Sequence, residues 1–246
     1  MIKIIKKDNY AIIQLAREKE LNAINAELMA ELNRHLDSFA QDNTIKVIIL
    51  TGTEKAFAAG VDITEMSANH DLVDASWRHL ADFPKPVIAA VSGYAFGGGC
   101  ELAQMCDIII AADNAKFAQP EIKLGILPGM GGTKMLRQYV GKSIAMQMCL
   151  TGDPINAQEA LQYGLVSKVV PFNEMMDYAC KIAQNISRHS LPVLRKIKHE
   201  INNPYKNLGL DIESEFHAFK SCFDLDDQSE GFKAFLEKRQ PKVTDK

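Results

Sequence analysis

Three uninterrupted apolar runs constrain this chain more than anything else in it. They are "KVIIL" from Lys46, "PVIAAV" from Pro86 and "DIIIAA" from Asp107. A strand with one wet face alternates apolar and polar residues, whereas these runs do not alternate. They read as strands buried on both faces, which is the habit of parallel sheets. Each is separated from the next by enough chain for a crossover, and "NAELMAELNRHLDSFAQD", ahead of the first, is helical in pattern. There Leu28, Met29, Leu32, Leu36 and Phe39 recur at helical spacing. Buried strands alternating with helices imply an α/β architecture with a largely parallel sheet system. The first fifteen residues, "MIKIIKKDNYAIIQL", predict a hairpin of two short strands joined at Asp8-Asn9. A further helix is expected around Asp71 to Asp82.

The texture changes near Ser190. "LPVLRKIKHEINN", "LDIESEFHAFKSCF" and "SEGFKAFLEKR" are all helical in pattern, with no strand between them. The chain therefore divides into residues 1–190, expected to carry the chemistry, and a helical region over 191–246. At 246 residues it can bury a sizeable core without disulfides. The five cysteines (Cys100, Cys106, Cys149, Cys180 and Cys222) form no C-x-x-C pair and read as reduced thiols of a cytoplasmic protein. A net charge of −3 argues against a nucleic-acid partner, and no apolar run is long enough to cross a membrane.

Each apolar run is followed by small residues. The second leads into "SGYAFGGGCELAQMC", which reads as strand, glycine turn, helix. Without Cβ atoms, Gly97, Gly98 and Gly99 leave backbone N–H groups uncovered at a helix mouth, where the dipole favours negative charge. A phosphate or an oxyanion developing during a reaction would fit there, and so would plain close packing of helix on strand. The spacing is neither a dinucleotide fingerprint nor a P-loop. Glu101 lies one turn into that helix. Twenty residues on, Glu121 sits between Pro120 and Ile122, ahead of a second glycine cluster, Gly129, Gly131 and Gly132. A strand in the gap could bring the two carboxylates to one end of the sheet. Paired carboxylates in a partly apolar pocket can divide into one base and one acid, and the flanking Pro120 and Ile122 point to Glu121 as the acid. Alone, either glutamate could equally be solvated or salt-bridged. A third small-residue loop, Ala58-Ala59-Gly60-Val61, follows the first run.

In order along the chain, "EKAFAAGVDITEM", "KPVIAAVSGYAFGGGCELAQMCDIIIAADNAKFAQPEIKLGILPGMGGTKML", "VGKSIAMQMCLTGDPINAQEALQYGLVSKVV" and "EGFKAFLEKR" resemble the enoyl-CoA hydratase branch of the crotonase superfamily. The resemblance covers nearly the whole chain. It implies the crotonase fold, a spiral of β-β-α units with C-terminal helices that mediate a homotrimer or a dimer of trimers and close the active site. It implies an acyl-CoA thioester substrate, with coenzyme A entering as part of that substrate and no separate cofactor or metal. By position, the amides of Val61 and Gly98 would hold the thioester oxygen. Glu101 would activate water for attack at Cβ, Glu121 would protonate Cα, and the backbone at Gly129 would help hold the water. Coenzyme A contacts would map to Ala59, Val61, Asp62 and Ile63, and to backbone near Lys19 and Leu21. Phe235 and Lys238 would approach the nucleotide, across a subunit boundary in some assemblies.

The chain departs from the usual pattern in places. Val61 stands where alanine is common and Thr64 where lysine is frequent. "REKELNAIN" lacks the usual proline and alanine, Met130 replaces a small residue, and Lys134-Met135 replaces Gln-Arg. Possession of both glutamates favours hydration over Δ3-Δ2 isomerisation, with a branched substrate such as a methylglutaconyl thioester as an alternative. A purely binding role, including RNA binding, is disfavoured by the intact glutamate pair.

Overall fold

The computed structural model describes residues 1–68, 75–207, 219–220, 222–224, 226–239 and 241–242. The expected hairpin forms from β1 (Ile2–Lys6) and β2 (Tyr10–Leu15), closed by Lys7 N–H donating to the Tyr10 carbonyl at 2.9 Å. Helix α1 (Ala26–Gln41) is capped by the Asn25 side chain, which accepts from Leu28 N–H at 2.9 Å. It buries the five apolar residues that its periodicity singles out: Leu28, Met29, Leu32, Leu36 and Phe39.

From there the chain winds in β-β-α turns. β3 (Val47–Thr51) and β4 (Ala56–Ala58) lead to α2 (Ile63–Ala68). A 3-10 turn, Ala75–Trp77, and the short α3 (Arg78–Ala81) precede β5 (Val87–Val91), β6 (Tyr94–Phe96) and α4 (Gly98–Gln104). β7 (Ile108–Ala112) and β8 (Lys116–Ala118) lead through a 3-10 turn, Pro120–Leu124, to α5 (Lys134–Thr151). β9 (Ile155–Asn156), α6 (Ala157–Gln162), β10 (Lys168–Val170), α7 (Phe172–Ser187), α8 (Leu191–Asn207) and α9 (Asp226–Leu236) follow.

Each of the three middle turns gives one strand to each of two sheets. The larger sheet has the order β1-β2-β3-β5-β7-β10 and is parallel from β2 onward; the smaller has the order β4-β6-β8-β9, parallel from β4 to β8. The apolar runs do not alternate because both of their faces are covered. Val47, Ile49, Ile88, Ala90 and Ile110 pack under Met175, Ala179 and Ala183 of α7. Ile48, Leu50, Val87, Ala89 and Ile109 face the other way, into the cluster that holds α1.

Two sequence expectations need correcting. A strand, not a bare glycine turn, stands between the second apolar run and α4, and the Glu101–Glu121 gap holds two strands rather than one. β4, β6 and β8 are three residues each, too short to impose a period of two. The helix expected over Asp71 to Asp82 is, where described, the turn Ala75–Trp77 and the four residues of α3; the rest of that stretch lies outside the described residues. Most of the helix expected over "LDIESEFHAFKSCF" also lies outside them.

A buried lysine ties this frame together. Lys85, immediately before β5 and 0% exposed, donates to the carbonyls of Phe39, Asp42 (2.8 Å) and Ile45 (2.9 Å), at and beyond the C-terminal end of α1. An ammonium has three donors, and three acceptors surround it. Burial, then the neighbouring Arg195, push its pKa down to about 8, which leaves it protonated at pH 7. Helix α8 is anchored at the same place, because Lys198 donates to the Lys85 carbonyl (3.0 Å) and to Asp107 (2.8 Å). Lys85→Met is isosteric along most of its length but removes three charge-assisted hydrogen bonds to carbonyls. It should destabilise the fold by about 3 kcal/mol at pH 7, measured as a lowered urea midpoint at unchanged slope.

Candidate active site

The site begins with backbone brought into contact with backbone. A Cβ on Gly99 would sit 2.0 Å from the Ala58 carbonyl oxygen, so only glycine lets α4 lie on β4. One residue earlier, a Cβ on Gly98 would meet Val61 Cγ2 at 2.9 Å and the Trp77 ring at 3.0 Å. Val61 and Gly98, 37 residues apart in sequence, are therefore neighbours. Val61 is bridged to Ile24: Ile24 N–H donates to the Gly60 carbonyl and Asp62 N–H to the Ile24 carbonyl, both at 2.8 Å. In a parallel bridge of this kind the intervening residue's own N–H points the other way. Gly98 opens α4, where an N–H has no partner inside the helix. Among the described residues, neither the Val61 nor the Gly98 amide makes a hydrogen bond.

The two carboxylates converge on this helix mouth from different elements. Glu101, 3% exposed on α4, accepts through Oε1 from Met130 N–H at 2.7 Å and Gly132 N–H at 2.8 Å. The second glycine cluster thus folds back over the first and grips its carboxylate. Two backbone amides thus fix one oxygen of this carboxylate. Glu121, 8% exposed, extends from the 3-10 turn so that its Oε1 would lie 2.8 Å from a Cβ on Gly97, the residue that caps α4. Glu101 N–H donates to the Gly97 carbonyl at 3.0 Å, so the two acids stand one helical turn apart along α4. Both act on the buried Cys100 thiol, whose pKa is pushed up first by burial and then by Glu121 and Glu101, once the opposing bond from Gln104 is counted. Cys100 is thus a neutral packing residue.

The source of Glu121's apolar surroundings differs from the sequence expectation. Ile122 is 46% exposed and turns to the surface. Tight 3-10 geometry points successive side chains in different directions, and Glu121 turns inward against Gly97, the cap of α4.

The remaining predicted residues separate into two groups. Leu21 and Ala59 meet, with Ala59 N–H donating to the Leu21 carbonyl at 3.0 Å, and Lys19 lies exposed in the preceding turn Glu18–Glu20. Ile63 opens α2 beside Asp62. Asp62 itself is paired with Arg17 at 3.2 Å, so its carboxylate already serves the loop's structure. Gly129 is buried, but the amides that hold Glu101 are those of Met130 and Gly132. Phe235, 53% exposed, and Lys238 lie on the outer side of α9 and its C-terminal turn, away from the buried Gly231, Phe232 and Ala234.

Three residues at the site escape sequence pattern. Asn22 is fully buried with a positive φ of 56°. Its amide donates to the carbonyls of Ala56 (2.8 Å) and Phe57 (3.1 Å) and accepts from Arg17 N–H (2.8 Å), which fixes the Leu21 carbonyl beside Ala59. Gln119, 0% exposed, has neither amide atom hydrogen-bonded among the described residues, and its Nε2 would lie 2.7 Å from a Cβ on Gly132. Trp77, also fully buried against Gly98, has an indole N–H with no acceptor among the described residues. The signal available for Gln119 is a polar residue two positions from Glu121 inside an otherwise apolar stretch.

The described residues contain no group of three or more His, Cys, Asp or Glu side chains able to hold a metal ion, and no helix long and apolar enough to cross a membrane. Cys100, Cys106, Cys149 and Cys180 are not in disulfides.

The family model described as "Enoyl-CoA hydratase/isomerase" matches residues 6–246. A probable mitochondrial enoyl-CoA hydratase of Dictyostelium discoideum is 48% identical over 244 residues, covering 96% of this chain and 88% of that protein. The mitochondrial enoyl-CoA hydratase of Pongo abelii is 46% identical, covering 98% and 85%. The crystal structure of an enoyl-CoA hydratase from Bacillus anthracis superimposes with a TM-score of 0.80 at 34% identity, over 100% of this chain and 99% of that one. The chain belongs to the enoyl-CoA hydratase/isomerase family and has the crotonase fold.

The contact between Val61 and Gly98 can be tested directly. Gly98→Ala overpacks it and should lower stability by about 1–3 kcal/mol. Adding Val61→Ala removes the clashing methyl, so the double variant should recover part of that loss, a coupling readable from a double-mutant cycle of thermal melts.

Proposed function

We infer that this protein adds water across the C2–C3 double bond of trans-2-enoyl-CoA thioesters, giving 3-hydroxyacyl-CoA. One observation carries the reading: two acids on separate elements are held at one helix mouth, next to two neighbouring amides whose hydrogen bonds are unspent.

In this mechanism the thioester carbonyl oxygen accepts from Val61 N–H and Gly98 N–H. As water attacks Cβ, electron density moves through Cα to that oxygen, and the amides stabilise it where it develops. Donors of this type are worth about 3 kcal/mol each. Glu101 takes the water's proton as the C–O bond forms. Glu121 delivers a proton to Cα on the same face, which makes the addition syn, and the two acids then exchange protons with solvent to reset. Burial of Glu121 disfavours its charged form, which suits an acid before the transfer. Together, acid and base contribute about 10²–10⁴-fold.

Ala59, Asp62, Ile63, Lys19 and Leu21 are assigned to coenzyme A, because Asn22 and the Ala59–Leu21 bond hold their two loops side by side. Coenzyme A enters with the substrate, and the reaction calls for no further cofactor. Fatty-acid breakdown in the cytoplasm is the setting that fits this substrate class and the reduced thiols, although the two relatives named above are mitochondrial.

The protein is assigned as a homotrimer or dimer of trimers. Val193, Ile197 and Ile201 form an exposed apolar stripe at four-residue spacing along α8, which an assembly would cover. Light scattering after gel filtration should return three or six protomers, and a monomer would refute the assignment.

Crotonyl-CoA should lose its enoyl absorbance on incubation with the enzyme. Glu121→Gln keeps the shape and removes the acid, so kcat should fall by about 10²–10⁴-fold with KM little changed. Turnover of 3-enoyl thioesters alone would make the protein an isomerase instead.

A further inference from the structure

Phe219 and helix α9 touch the backbone on which each carboxylate depends. Gly231 of α9 is pressed onto the end of the Glu121 turn: a Cβ there would lie 2.4 Å from the Leu124 carbonyl oxygen, 2.5 Å from its carbon and 3.0 Å from its Cα. All three are backbone atoms, which cannot rotate aside. The turn moves as a unit, because Gly125 N–H and Ile126 N–H both reach back to the Glu121 carbonyl. On the other side, Phe219 lies flat against Gly129, where a Cβ would meet the ring at 2.7 Å. The next residue, Met130, supplies one of the two amides that hold Glu101. A chain of rings joins the two contacts: Phe219 meets Phe223 edge-on at 5.3 Å, and Phe223 meets Phe232, the neighbour of Gly231, at 6.1 Å. Phe219 and Phe232 are both buried.

We propose that this aromatic-backed segment seats the two acids together, and that Gly231 and Phe219 are positioning residues, Gly231 for Glu121 and Phe219 for the amides that hold Glu101. The proposal rests on the hydratase reading and adds a division of labour to it. A Cβ at 231 requires helix and turn to part by about 1 Å to reach ordinary contact, and a misplacement of that size can cost about 10²-fold in rate.

Two reactions separate the two acids. Hydration uses both. Exchange of an α-hydrogen of butanoyl-CoA in D2O uses only the acid facing Cα: the Cα–H proton passes to the Glu121 carboxylate, the enolate oxygen rests on the two amides, and a deuteron from the solvent-exchanged carboxyl returns to Cα. Wild-type hydration of crotonyl-CoA is measured first and tests the hydratase reading on its own. With that in hand, Gly231→Ala should lower kcat for hydration and the exchange rate alike, by about 10²-fold, with KM within about threefold and native circular dichroism. Phe219→Leu should slow hydration at least about tenfold and leave exchange within about twofold, because Gly231 still bears directly on the backbone of the Glu121 turn. If Gly231→Ala does not accumulate folded, Phe232→Leu relaxes the same helix by a smaller change and should give the same pattern. Wild-type rates in both Gly231→Ala and Phe219→Leu, or losses of both reactions in equal proportion in Phe219→Leu, would overturn the proposal, since general loosening cannot distinguish one acid from the other.

Discussion

The Cα of Gly99 rests against the Ala58 carbonyl, and the site is built outward from that contact. It brings a helix mouth to within van der Waals distance of a strand from the preceding β-β-α turn. Close by along the same helix mouth, Gly98 lies against Val61 and Gly97 against Glu121, which the 3-10 turn after β8 brings in. Side chains could not hold these positions so closely, since rotamers and their packing leave slack that backbone-on-backbone contact removes. The glycine-rich turns are therefore as much a packing device as a ligand device.

Much of this was legible in the chain. The non-alternating runs around Ile48, Ile88 and Ile109 announced strands covered on both faces, and the α1 periodicity identified its buried residues one by one. The glycine clusters with Glu101 and Glu121 marked the site, and their resemblance to a known family named the residues to watch. Other features left no local trace. β4, β6 and β8 are too short for a period, and they are the strands that put Glu121 where it is. Ile122 looked like an apolar flank, yet a 3-10 turn sends it outward. Asn22 takes its importance from partners 34 and 35 residues away, and Gln119 and Trp77 take theirs from glycines in other segments, contacts that local pattern does not reveal.

The grip on Glu101 explains why two glycine clusters are needed. The first opens the helix that carries the acid; the second wraps back so that Met130 and Gly132 can point their amides at it. An acid fixed in this way stays aimed, while Glu121 is tucked against Gly97. In the proposed mechanism two identical side chains take opposite tasks because their surroundings differ. Val61 and Met130, both larger than the family's common choices, sit on this frame, with Val61 against Gly98 and Met130 buried beside Glu101's amides.

The account turns on where the thioester oxygen goes. A crystal structure with a bound acyl-CoA should place that oxygen about 2.7–3.1 Å from both the Val61 and the Gly98 nitrogen, with Glu101 and Glu121 facing the C2–C3 bond from one side. An oxygen held by any other pair of donors, or either acid turned away from that bond, would contradict it.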